Sequence, residues 1–177
     1  MSSPTSWLVQ HAGLLPREGR ALDVACGRGR HALWLAERGL RTLAVDRDPD
    51  AIRELSEAAR ERRLPLRADV RDLEGGGEAS FHGSTFDVIV VVHYLHRPLF
   101  PMLIEALGPG GLLVYETFTR AQAARGKPTN PDFLLKPGEL LELVEPLAVL
   151  ASREGDFDGR MVASVVARRT NFRARRT

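Results

Sequence analysis

The stretch Ala21-Leu22-Asp23-Val24-Ala25-Cys26-Gly27-Arg28-Gly29-Arg30-His31-Ala32 constrains this chain more than any other, because an apolar run stops at two glycines and passes directly into a helical pattern. That order reads as a strand, a tight loop and a helix start. Glycine at 27 and 29 admits positive φ and a close approach of backbone to ligand, while the first turn of the following helix offers free N–H groups. Such a loop binds a nucleotide-like cofactor. Its spacing fits the dinucleotide fingerprint G-x-G-x-x-G/A, with Ala32 in the last place and an acid, Asp46, about 20 residues downstream.

Asp23 changes the reading. It places a carboxylate inside an otherwise apolar strand, where an unpaired charge is costly, whereas the first strand of a dinucleotide-binding unit is normally apolar throughout. The string Leu-Asp-Val-Ala-Cys-Gly-Arg-Gly resembles motif I of the class I S-adenosylmethionine (SAM) methyltransferases. The resemblance implies that this acid lies near the methionine end of the cofactor, whose ammonium and sulfonium are both positive. The other reading of Asp23 is a strand-end cap on the glycine turn.

At 177 residues and 44% apolar content the chain suits one core. We expect a single domain over 1–169 and a basic tail over 170–177. There is no apolar run long enough to span a bilayer and no basic-then-apolar leader pattern, so a cytoplasmic location is expected. The single cysteine, Cys26, excludes an internal disulfide and a multi-thiolate metal site, and no metal is expected. In the glycine loop it reads as a small residue facing the cofactor rather than as a nucleophile. The net charge of +2 conceals an asymmetry: without Arg168, Arg169, Arg173, Arg175 and Arg176 the remainder carries −3. That tail reads as a strand end and a solvated terminus, with contact to nucleic acid as the alternative.

In chain order, Ser3 to Leu15 reads as one short amphipathic helix and Ala21 to Cys26 as the first strand. A helix from Arg30 to Arg38 is closed by Gly39. Arg41 to Val45 forms the second strand, ending on Asp46. Asp48-Pro49 starts a helix carrying Ile52, Leu55 and Ala59 at helical spacing. A short third strand, Leu66 to Ala68, ends on Asp69. Asp72 to Thr85, with Gly75-Gly76-Gly77, reads as a loop. Phe86 to Val92 is apolar on both faces, as a central parallel strand should be. Pro98 to Leu107 reads as a helix and Leu112 to Phe118 as the fifth strand. Thr119 to Lys136 is too long for a plain connector and reads as a lid. A helix over Pro137 to Val144 precedes strands at Leu147 to Glu154 and Met161 to Arg168, joined by the hairpin Asp156-Phe157-Asp158-Gly159.

This alternation predicts an α/β fold with a doubly wound, mostly parallel sheet. By resemblance it is the seven-stranded, Rossmann-like methyltransferase topology, order 3-2-1-4-5-7-6 with one antiparallel strand. Ligands of such sheets collect beyond the carboxyl ends of the strands. Asp46 is placed to accept the ribose hydroxyls, since a carboxylate is a pure acceptor. The resemblance assigns Asp69 to the adenine amino group with Val70 beside it, a strand-end cap being the other reading of that acid; Arg47 is placed either flat against the adenine face or in solvent, and Arg30 and Val92 complete the expected cofactor set. The segments His93-Tyr94-Leu95-His96-Arg97-Pro98 and Tyr115-Glu116-Thr117-Phe118-Thr119 resemble small bacterial methyltransferases related to the tellurite-resistance type. So does Gly126-Lys127-Pro128-Thr129-Asn130-Pro131 with Phe133-Leu134-Leu135-Lys136-Pro137-Gly138-Glu139-Leu140, which the resemblance places along the acceptor site.

The expected chemistry is in-line methyl transfer from SAM to a small-molecule acceptor, leaving S-adenosylhomocysteine. A hydroxyl or ammonium nucleophile needs a base, for which His93 is placed first and Glu116 second, with a Glu116–Arg97 ion pair as the structural reading of the latter. A thiolate needs none. Three alternatives stay open: a non-catalytic SAM-binding partner of another methyltransferase, a nucleic-acid methyltransferase using the basic tail, and an NAD-binding Rossmann protein. The sequence leaves the oligomeric state undetermined.

Overall fold

The computed structural model describes residues 3–75, 81 and 83–170. Seven strands form one sheet: β1 (Arg20–Val24), β2 (Arg41–Asp46), β3 (Leu66–Val70), β4 (Phe86–Val92), β5 (Leu107–Phe118), β6 (Ala148–Phe157) and β7 (Arg160–Arg168). Their spatial order is β3-β2-β1-β4-β5-β7-β6, as expected. β7 runs antiparallel to both β5 and β6, and every other pairing is parallel.

The period-2 alternation of the central strands divides the core between two faces. Ile89, Val91, Leu113 and Tyr115 point to one side, where Leu103 of α4 (Phe100–Ala106) and Leu140 of α5 (Glu139–Leu143) cover them. Val88, Val90, Val92 and Val114 point to the other, against Trp7 and Leu8 of α1 (Ser6–Gln10) and Leu35 of α2 (Arg30–Glu37). The fifth helix, α3 (Pro49–Glu61), begins as its sequence requires, with the Asp48 carboxylate accepting from the Asp50 and Ala51 amides.

Several boundaries differ from expectation. The single amphipathic helix over Ser3 to Leu15 is a five-residue α1 followed by a 3-10 turn at Ala12–Leu14. Burial of Trp7 and Leu8 holds it, rather than a long apolar stripe. Likewise α4 is preceded by a 3-10 turn, Arg97–Leu99, and the glycine-rich Gly108–Gly111 stretch runs on as the irregular start of β5 instead of ending outside it. β6 and β7 reach further toward each other than the hairpin reading allowed, leaving a two-residue Asp158-Gly159 turn with both φ values positive. β6 is an edge strand, and its pairing skips at Leu150, between Val149 and Ala151.

The predicted loop over Asp72 to Thr85 falls partly outside the described residues; at its ends Leu73 and Phe81 are buried in the α4-side core. Most of the predicted tail also lies outside them. Of the arginines that make the C-terminus basic, Arg168 closes β7 and Arg169 donates to the carbonyls of Glu105 and Leu107, both ahead of that tail. Among the described residues no helix is long and apolar enough to cross a membrane.

Candidate active site

The tips of β1, β2 and β4 open on a crevice of about 310 Å³, whose walls include Ala25, Asp46, Arg47, Asp72, His93 and Phe118. The segment between β5 and α5 contributes Pro128 and Phe133. Its two ends are pinched together, Leu135 N donating to Phe118 O at 3.0 Å and Arg120 N to Leu135 O at 2.9 Å, so the predicted lid is a closed loop standing over the crevice.

Asp46 organises the nucleoside side. One carboxylate oxygen accepts Gly27 N at 2.7 Å and the other Asp48 N at 3.0 Å, so the acid at the tip of β2 holds the glycine loop beside it. The two glycines have separate reasons. Gly27 has φ +53° and nothing within 4 Å of where a Cβ would stand, so its side is open for a ligand. Gly29 has φ +71°, and a Cβ there would overlap the Leu55 methyls of α3, so that glycine lets loop and helix pack.

Asp23 is buried and accepts Ala32 N at 2.9 Å, tying β1 to the first turn of α2. This is the contact of the capping reading. Burial pushes its carboxyl up to about 7, opposed by the Ala32 hydrogen bond and the nearby Arg30 guanidinium and aided by Asp46. Cys26 does not face the crevice. It packs with Ala44, Ile52 and Leu55 beneath the loop, and burial pushes its thiol far up, because the positive φ of Ala25 and Gly27 turns the chain so that position 26 points inward.

The three strand-tip carboxylates do not rim one hollow. Asp46 lines the crevice, Asp23 lies buried, and Asp69 stands behind the wall, paired with Arg67 at 2.8 Å and with Arg71, itself a wall residue, at 3.4 Å. Val70 stands 51% exposed outside the crevice, since β3 is the sheet edge there, and Val92 faces the α1-side core. Asp72 and Leu73, just beyond β3, line the crevice where Asp69 was expected.

His93 is brought to the crevice in a left-handed backbone conformation, φ +59°, its amide donating to Glu116 O at 2.8 Å. Its ring stacks on Phe118 with centroids 4.6 Å apart. Burial, and secondarily the Arg160 guanidinium, pull its pKa down to about 4, so the imidazole is neutral near pH 7. Glu116 faces away from the crevice. Its carboxylate accepts the Thr5 hydroxyl at 2.5 Å, the Ser164 hydroxyl at 2.7 Å and Arg153 Nη2 at 3.0 Å. The Glu116–Arg97 pair does not form; Arg97 pairs with Glu139 at 2.6 Å. Glu116 borders a second hollow of about 150 Å³ that also meets Arg30, Arg153 and Arg160.

Thr5, Arg153 and Ser164 escaped the sequence reading. Arg153, Ser164 and Glu116 lie directly opposite one another across β6, β7 and β5. The signal for Ser164 was a polar residue interrupting an apolar strand; Arg153, in the polar run Ser152-Arg153-Glu154, and Thr5, which also donates its amide to the buried His31 ring, gave none.

A sequence profile described as a methyltransferase domain matches residues 21–111, just over half of the chain. The chain belongs to that family. Its curated relatives include the ribosomal protein L11 methyltransferase of Bordetella parapertussis, 34% identical over 113 residues that make up 62% of this chain and 34% of that protein. The chain thus spans about a third of that relative's length. Among solved structures, TehB from Haemophilus influenzae superposes with a TM-score of 0.79 over 96% of this chain and 64% of that one, at 19% identity. An S-adenosylmethionine dependent methyltransferase from Mesorhizobium loti does so at 0.74 over 93% and 98%, at 18% identity. These likenesses establish the fold, with its closing antiparallel strand, as that of the class I methyltransferases.

The residues present in this methyltransferase domain fit SAM by donor and acceptor type. Vicinal ribose hydroxyls are donors and Asp46 at the crevice wall is an acceptor; an adenine amino group is a donor and Asp72 is an acceptor. Gly27 leaves the space a nucleoside would occupy.

Proposed function

We propose that this protein transfers the methyl group of SAM to a small-molecule acceptor in the crevice. The observation that carries the reading is the Asp46 carboxylate, bonded to the glycine-loop amide of Gly27 and lining the crevice beside the open face of that glycine. A concave crevice of about 310 Å³ is of the size that takes a small molecule.

When bound, SAM supplies an electrophilic methyl carbon on a positively charged sulfur. The chain's own residues supply positioning. Asp46 binds the ribose, Asp72 and Arg47 border the base, and Gly27 keeps the backbone from blocking either. The loop bearing Pro128 and Phe133 borders the mouth of the crevice, which restricts the directions from which an acceptor can enter. His93, neutral near pH 7, can accept a hydrogen bond or a proton from the acceptor. Glu116, with three hydrogen bonds already made, holds β5, β6, β7 and Thr5 together behind it rather than serving as a base.

Thermal unfolding with ligands tests the reading. S-adenosylhomocysteine at about 100 times its dissociation constant should add roughly 2.7 kcal/mol of stability, while NAD adds none. Stabilisation by NAD and not by S-adenosylhomocysteine would overturn the assignment. Asp46→Ala should weaken cofactor binding more than tenfold, roughly 1.4 kcal/mol or more. His93→Ala should leave that binding intact and lower turnover.

A further inference from the structure

The crevice has two chemically different sides. Its charged groups Asp46, Arg47, Arg71, Asp72 and Glu74 follow β2 and β3, whereas the segments after β4 and β5 contribute Leu95, Phe118, Pro128 and Phe133 with His93 and Tyr94. The two sets meet where Glu74 accepts the Tyr94 hydroxyl at 3.3 Å. Phe118 is already one member of a ring stack with His93, their planes 22° apart. Phe133 lines the crevice yet is 49% exposed, so a large apolar ring stands in water at the mouth of the site.

That ring is held by a specific device. Arg97 Nη1 donates to Asp132 O at 2.9 Å and Nη2 to Leu134 O at 3.1 Å, the carbonyls immediately before and after Phe133. The same guanidinium makes two bonds to Glu139, at 2.6 and 2.9 Å. Arg97 lies four residues beyond His93, and Tyr94 between them is pinned by the Tyr115 hydroxyl donating to its carbonyl at 2.7 Å. One planar group therefore sets Phe133 relative to His93. A lysine, with a single ammonium, cannot span these four acceptor atoms.

We infer that this side of the crevice is a subsite for a flat aromatic group on the methyl acceptor, with Phe118 and Phe133 as its walls, and that Arg97 is the positioning residue that holds Phe133 in place. This rests on the proposed methyl-transfer reading and names the substrate class for it. Ring walls favour a ring through offset and edge-on contacts beyond simple burial.

The test is calorimetric titration of the S-adenosylhomocysteine-loaded protein with 2-naphthol and with its saturated counterpart, decahydro-2-naphthol. The wild type should bind the naphthol at least tenfold more tightly than the saturated alcohol. Phe133→Ala, Arg97→Met and Arg97→Lys should each reduce that preference to about twofold or less, Phe133→Trp should keep it, and all should bind S-adenosylhomocysteine within threefold of the wild type. Equal affinity for the two alcohols in the wild type, or an unchanged preference in Phe133→Ala, overturns the subsite. A preference unchanged in both Arg97 variants overturns the role of Arg97. Failure of the wild type to bind S-adenosylhomocysteine overturns the methyl-transfer reading instead, and the ratio of the two alcohols on the protein alone then still decides the subsite.

Discussion

The nucleoside side of the crevice and its acceptor side are assembled in opposite ways. The first is built from residues close in sequence: Asp23, the glycine loop, Asp46 and Asp48 all fall on two adjacent parallel strands and the turns that leave them. The second joins distant segments, with His93 and Arg97 after β4, Phe118 at the end of β5, Phe133 in the closed loop, and Thr5, Arg153 and Ser164 around Glu116 behind them. A site made by local geometry leaves its mark as a motif. One made by long-range contacts is written as isolated residues whose meaning depends on register.

The contrast can be broken or sharpened by substitution, starting with its largest effect. Gly29→Ala should destabilise the fold by about 3 kcal/mol, a Tm loss on the order of 10 °C, because a left-handed alanine must also displace Leu55. Glu116→Gln should cost about 2 kcal/mol in denaturant unfolding, since Arg153 is left buried beside a neutral partner. Gly27→Ala should cost only about 1–2 kcal/mol of stability, from backbone strain, yet abolish cofactor binding measured by calorimetry. If the two glycine variants behave alike, the distinction between an open and a packed glycine fails. At the small end, Arg28→Ala removes an exposed ion pair with Glu54 and should change stability by no more than about 0.5 kcal/mol.

Acid titration probes the same division. His31 and His93 have folded pKa values lowered by burial to about 3 and about 4 from 6.5, so the stability each contributes is present above pH 6.5 and lost as pH falls through those values. Asp23 has the opposite sign. Raised by burial from 3.8 to about 7, its contribution is full below 3.8 and lost as pH rises through about 7. Between pH 6.5 and 4 the two effects oppose, so Asp23→Asn should make the acid fall in Tm steeper and His31→Gln should make it shallower. Parallel curves for the three proteins would contradict this balance.

How much was legible follows from the same contrast. The doubly wound, mostly parallel sheet with its closing hairpin could be read because β4 is apolar on both faces and the Asp-Gly turn reverses the last pair, features local to a few residues, while the strand order came from the resemblance carried by the glycine-loop motif. The place of Asp46 at the tip of β2 and the positive φ of Gly27 were legible from the same local features. The inward turn of Cys26, the engagement of Asp69 by Arg67 and Arg71, and the partner of Glu116 were not, since each is decided by which neighbour reaches the side chain first. Arg97 shows this most clearly: its spacing from His93 said that it stood near the site, while its choice of Glu139 over Glu116 depended on where a loop some forty residues later comes down.

The skipped residue at Leu150 bears on how readily this edge of the sheet could pair with another strand. β6 leaves a ten-residue flank open to water, long enough to template a strand from another chain. An unpaired residue near its start twists the backbone there and breaks the even row of donors and acceptors that a newcomer would need. Exposed Val149 and Leu150 then lie at the one place along the flank where cross-β growth would find no continuous track.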